Sequence, residues 1–241
     1  MNSGIAGRAV FGLNALVVAV GIVVQHFATA ASDDGFFSGP AAVLNTYSYF
    51  TVQSNVVLGV SCAWLAIGGP SGSLLFRVLR MIGVVGITLT FIVYHVALEG
   101  LYDLTGEAAF ADVMLHTVSP VLGVGGWLLF GPRRLTSLVV VAWTTAYVAA
   151  YGAFTMIRGA IVQDDGVHFY PYPFLDPSDD GYLRVVLNMA IVAAVFFGVA
   201  FAAHSLDGWL DRRRGADDQP IGSSSSAASD GSSTSASPEP L

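Results

Sequence analysis

Two apolar stretches carry polar side chains that a membrane-crossing segment normally avoids. In YSYFTVQSNVVLGVSCAW, residues 47–64, Thr51, Gln53, Ser54 and Asn55 fall within five positions. Tyr47, Thr51 and Asn55 are spaced i, i+4, i+8, which stacks them on one face of a helix. In ADVMLHTVSPVLG, residues 111–123, Asp112, His116, Pro120 and Gly123 stack in the same way. A carboxylate one turn from a histidine can accept a bond from the ring and fix its tautomer, which suits an imidazole that takes or gives a proton. Pro120 has no N–H, so a bend is expected there, with the carbonyl of residue 116 left as a free acceptor beside the imidazole. His95 and Glu99 make a second i, i+4 pair. Each feature also has an ordinary reading. A threonine can bond the carbonyl four residues back, a serine or asparagine can glue helices, and an interfacial histidine can simply be wet. Ionisable groups at depth are functional by default.

The elements that must position these residues are membrane helices. Of 241 residues, 54% are hydrophobic and only 11% are charged, against about 25% charged in a soluble domain. The pattern predicts an all-α membrane protein, a bundle of six transmembrane helices, at Ala9–Phe27, Thr46–Ile67, Val78–Leu98, Ala109–Phe130, Leu135–Met156 and Leu183–Ser205. There is no lysine, and eight of the ten arginines fall on one side: Arg8, Arg77, Arg80, Arg133, Arg134, Arg212, Arg213 and Arg214. The positive-inside rule then places both termini in the cytoplasm. A rival reading takes Arg8, the first apolar run and Ala28-Thr29-Ala30 as a cleavable signal peptide, which would leave five spans. Residues 1–210 form the membrane domain, and 211–241, rich in Ser, Ala, Gly, Asp and Pro, are expected to be a disordered cytoplasmic tail. The single cysteine, Cys62, excludes an intrachain disulfide.

In this frame the polar groups gather in the outer half of the bundle. Thr51 lies roughly 9 Å below the outer end of the second span, and His116 lies at the same depth in the fourth, at about 1.5 Å per residue. His26, His95 and Asn188 sit near the outer ends of their spans. The long outer loop contains HFYPYPFLDPSDDGY, residues 168–182, where two X-Pro steps force an extended path. Its aromatics suit an interfacial anchor or a lid over the mouth of the bundle.

YFTVQSN at Tyr49–Asn55, LHTVSP at Leu115–Pro120 and YPYPFLD at Tyr170–Asp176 resemble the bacterial Pr-six-Pr integral membrane family. That family is distantly similar to the androgen-induced and androgen-dependent TFPI-regulating membrane proteins. The likeness spans roughly Arg8 to Leu206, and YPYPFLD is its most specific piece. The resemblance implies an intramembrane hydrolase of fatty-acid esters in a bacterial plasma membrane, with Thr51 as nucleophile and His116 as base. A threonine hydroxyl needs such a base. Asp112 would orient the ring, and Gln53, Asn55 and Asn188 carry donors suited to an oxyanion. Tyr47 and His95 complete the candidate set. No cofactor is expected, and the expected partners are membrane lipids and a lipid-like substrate, with no nucleic acid. The alternative is a non-catalytic protein that binds or transports a lipid or small molecule. A metal or haem site from His26, His95, His116, Asp112 and Glu99 ranks last, because no tight ligand motif is present.

Overall fold

The computed structural model describes residues 4–32, 36–101, 103–164 and 166–217. Six helices are long and apolar enough to cross a membrane. They are α1 (Ile5–Ala31), α3 (Phe50–Ile67), α4 (Leu74–Leu98), α5 (Gly106–Phe130), α6 (Leu138–Ile161) and α7 (Pro177–Asp217), with a short α2 (Gly39–Asn45) between the first two. Gly181 interrupts α7 near its start with φ 72°. Among the described residues one strand pair is present, Gln163–Asp164 with Val167–His168, in the loop after α6.

Apolar side chains fill two cores on either side of α3. Phe11, Leu58, Cys62, Leu65, Phe76 and Ile87 join α1, α3 and α4. A larger cluster joins α4, α6 and α7, and includes Phe50, Val85, Leu89, Val140, Tyr151, Val185 and Phe196. With lipid outside as apolar as the core, helices hold together by close backbone approach at small residues. Gly83 of α4 shows this: a Cβ there would sit 2.9 Å from the Leu58 Cα of α3.

Arginines gather at one end. Arg8 Nε and Nη2 donate to the carbonyls of Ala66 and Ile67 at 2.8 and 2.9 Å, which caps the C-terminus of α3 with a cation. Arg77 Nε donates to Leu135 O at 2.7 Å, and Arg134 Nε pairs with Asp211 at 2.7 Å. These contacts bring the start of α1, both intervening turns and the end of α7 to the same end of the bundle.

Several expectations are corrected. The second span does not begin at Thr46. Residues 46–48 form a 3-10 turn, Tyr49 is extended, and α3 starts at Phe50. The cause is local: the Thr46 and Ser48 hydroxyls donate to the carbonyls of Val43 and Asn45 at 2.7 Å, bonds that compete with a continuing helix. Tyr47 therefore lies before the break and not on the Thr51–Asn55 face, and it is 43% exposed beside the His26 ring. The sixth helix runs on through 211–217, a segment expected to be tail. The rest of that expected tail lies outside the described residues.

Candidate active site

Helix geometry alone does not set His116; a wide turn does. Residues Met114–Val118 of α5 form a π turn, in which Ser119 N–H donates to Met114 O and not to Leu115 O. Such turns are rare and cluster at functional sites. Pro120 cannot donate either, so the carbonyl left without a helical donor is Leu115's, one residue earlier than expected. Asn55 Nδ2 supplies the missing donor at 3.1 Å and also donates to Thr51 O at 2.9 Å. One fully buried amide thus ties the turn carrying His116 to the turn carrying Thr51.

The result is a hydrogen-bonded row. His116 Nε2 lies 3.2 Å from Thr51 Oγ1. On the far side of the ring, Nδ1 lies 2.8 Å from Asp112 Oδ1 and also meets the Asp112 main-chain carbonyl at 3.2 Å. Tyr94 OH donates to the other Asp112 oxygen, and its ring stacks on His116 with centroids 4.1 Å apart. Acid, imidazole and hydroxyl stand in the order of a nucleophile–base–orienter set. Thr51 bonds the histidine, so the ordinary reading of a threonine folded back on its own helix does not describe it.

Thr51 is the second residue of α3, in the first turn, where N–H groups have no intrahelical acceptor. Its own N–H donates to Tyr172 OH at 3.4 Å. Measured from the helix ends the expected depth match is lost, since Thr51 is one residue into α3 and His116 ten into α5; the two meet because α3 starts level with the middle of α5.

A cavity of about 450 Å³ opens on this row. Thr51, His116, Asp112 and Tyr94 line it, with Gln25 and Thr29 of α1 and the loop residues Phe169, Pro171, Tyr172 and Pro173. The loop is folded into the bundle: Phe169, Tyr172 and Leu175 are buried. Gly159 makes room for it, since a Cβ there would lie 2.1 Å from Tyr170 Cε1. Arg158 fastens it, with its guanidinium over the Phe37 and Phe169 rings and Nη2 on Asn45 Oδ1 at 2.7 Å. Burial holds the Tyr172 phenol above its ordinary pKa.

The three amides expected to serve an oxyanion are engaged elsewhere. Both Asn55 N–H groups are spent on carbonyls. Gln53 Nε2 donates to Tyr47 O at 2.9 Å, and its carbonyl accepts from Tyr147 OH at 2.9 Å. Asn188 Nδ2 donates to Phe174 O at 2.8 Å and props the loop from below. The donors nearest the Thr51 hydroxyl are first-turn N–H groups and Tyr172, and neither Tyr172 nor Tyr94 was singled out by the sequence. The quoted loop motif was the one signal for Tyr172; Tyr94 had only its place beside His95. His95 bonds Glu99 at 2.8 Å and Thr117 Oγ1 at 3.3 Å, apart from this row. Among the described residues, no three His, Cys, Asp or Glu side chains converge as a metal site would require. No family model, curated protein or solved structure matches this chain.

Proposed function

We propose that the chain is an intramembrane hydrolase of lipid or fatty-acid esters, with Thr51 as nucleophile, His116 as general base and Asp112 as the group that orients it. The supporting observation is the row itself: 3.2 Å from hydroxyl to ring and 2.8 Å from ring to carboxylate. Thr51 Oγ1 attacks the ester carbonyl carbon as its proton passes to His116 Nε2. The C–O bond to the alcohol then breaks, and the alcohol leaves with that proton. Water gives a proton to the same nitrogen and attacks the acyl-threonine carbonyl. The carboxylic acid leaves, and Thr51 regains its proton. Charge on the tetrahedral oxygen is met by N–H groups at the positive end of α3 and by the Tyr172 hydroxyl. The arginine-rich end faces the cytoplasm of a bacterial cell, so substrate enters from the outer leaflet.

The test uses the full chain in membranes. A serine- and threonine-directed covalent probe labels the wild type and not Thr51→Ala, and lipid-ester turnover in Thr51→Ala and His116→Ala falls at least about a thousandfold, the scale of losing a nucleophile or its base. Labelling that persists in Thr51→Ala moves the nucleophile elsewhere. A folded wild type that binds lipid without labelling or turnover is a binding protein.

A further inference from the structure

Thr51 stands between two cavities of different chemistry. The second, about 120 Å³, lies on the α4–α6–α7 side of α3. Three residues line both cavities: Thr51, Leu98 and Tyr172. The wall between them therefore carries the Thr51 hydroxyl and the Tyr172 phenol that accepts from Thr51 N–H.

The smaller cavity is a hydrocarbon slot. Phe50, Leu89, Val93, Met189, Val192 and Ala193 line it, and the loop residues Phe174 and Leu175 close it. The hydroxyls that reach it are satisfied within the protein: Thr90 Oγ1 shares a bond with Ser54 Oγ at 2.9 Å, and Tyr151 OH donates to Ser48 O at 3.0 Å. A polar ligand would find little to bond. The larger cavity has the opposite character near Thr51, with Asp112, His116, Asn45 and Thr46 on its walls.

We propose that the small cavity is the acyl pocket of the hydrolase and that the large one takes the alcohol side of the ester. This rests on the hydrolase reading above. With the carbonyl carbon at Thr51, an acyl chain pointing into the slot puts the leaving oxygen on the side where His116 Nε2 can protonate it. The slot also sets chain length. An apolar cavity of about 150 Å³ takes a benzene, so this one takes roughly four to six carbons. Met189 forms part of its far wall, opposite Gly152, where a Cβ would lie 2.7 Å from Met189 Cε. The substrate class is an ester of a short-chain acid with a bulkier, partly polar alcohol.

The experiment reads chain-length preference in the reconstituted protein with p-nitrophenyl acetate, butyrate, hexanoate, octanoate and dodecanoate. In the wild type, kcat/KM peaks at butyrate or hexanoate and falls at least about tenfold by dodecanoate, since a methylene that does not fit costs about 10- to 200-fold. Met189→Ala lengthens the slot and moves the peak to octanoate. Ala193→Leu fills it and lowers the ratio of hexanoate to acetate turnover at least about tenfold. A profile unchanged in both variants overturns the pocket and leaves the hydrolase standing. Independently of turnover, a photoreactive six-carbon diazirine acid should cross-link to Met189 or Val192 and lose that adduct in Ala193→Leu. Adducts without ester turnover keep the slot and sink the hydrolase. Turnover with adducts confined to the larger cavity reverses the assignment and overturns it.

Discussion

The bundle holds two sets of threonine, histidine and an acidic residue. Thr51, His116 and Asp112 form one, and Thr117, His95 and Glu99 form the other. Their geometry is nearly identical: hydroxyl to ring is 3.2 Å in the first and 3.3 Å in the second, and ring to carboxylate is 2.8 Å in both. Both histidines sit in π turns, Met114–Val118 and Tyr94–Leu98. The surroundings differ. The Asp112 and His116 side chains are 16% and 18% exposed, against 58% and 28% for Glu99 and His95. Thr51 opens a helix, so N–H groups project around it, whereas Thr117 lies inside one, where N–H groups point along the axis to carbonyls. Neither Thr117 nor His95 lines the two cavities. Three side chains in a row make a proton path. A helix start, a cavity and a less exposed carboxylate set the first row apart from the second.

The comparison breaks most sharply at the half-buried carboxylate, Asp112. Asp112→Asn keeps the size of the side chain but loses the charge that stabilises a protonated ring, and its amide can donate to Nδ1 as well as accept, so the tautomer is no longer fixed. Ester turnover should fall by about 10²- to 10⁴-fold with KM little changed, as for the orienting acid of other such sets. Glu99→Gln is the matched control on the second set. If both variants lose activity alike, the two sets act as one relay and the contrast drawn here is wrong.

How far the sequence carries this site follows from the range of each interaction. The Asp112–His116 pair is legible because both residues ride one helix at i, i+4, and the spacing survives even the π turn. The approach of Thr51 and His116 was expected from equal depth below two helix ends; the contact is present, but the depths are not equal, because α3 starts four residues late and α5 three residues early. Contacts that depend on chain crossing were not legible. Tyr172 meets Thr51 across 121 residues, and Tyr94 meets Asp112 between helices. Aromatic side chains in a membrane protein read first as packing or interface, so their hydroxyls gave no distinct signal. The break before Phe50 had a local sign, since Asn45, Thr46 and Ser48 are all residues whose side chains or hydroxyls engage nearby backbone. The apolar run that follows masked it.

A smaller effect is expected at Asn55, which has no counterpart in the second set. Asn55→Ala strips the side-chain donor from the Leu115 carbonyl, while Thr51 O keeps Ser54 Oγ at 3.1 Å. Leaving Leu115 O unpaired costs about 1–3 kcal/mol before the helices relax. The variant should unfold at lower denaturant or temperature than wild type. Its turnover should fall about tenfold through a misplaced ring rather than a lost reacting group, a loss on the scale of one buried hydrogen bond. The pH profile separates the two: a positioning residue lowers the plateau and leaves its shape. Full activity with full stability would mean that the π turn holds His116 unaided.

The smallest effect sharpens the contrast furthest. Thr117→Val keeps the shape of the side chain and deletes the hydroxyl that His95 meets at 3.3 Å. Thr117 has no cavity before it and its N–H groups are committed to the helix, so the bond it loses is one partly exposed hydrogen bond worth about 0.5–1.5 kcal/mol. Stability should change by no more than that, and ester turnover should stay within about twofold of wild type. Probe labelling should be unchanged, because Thr51 remains. The outcome that sinks the comparison is a Thr117→Val protein that folds normally and yet loses labelling or turnover by tenfold or more. That result would make the exposed set part of the chemistry. It would also mean that burial, helix start and cavity do not decide which of two equal rows reacts.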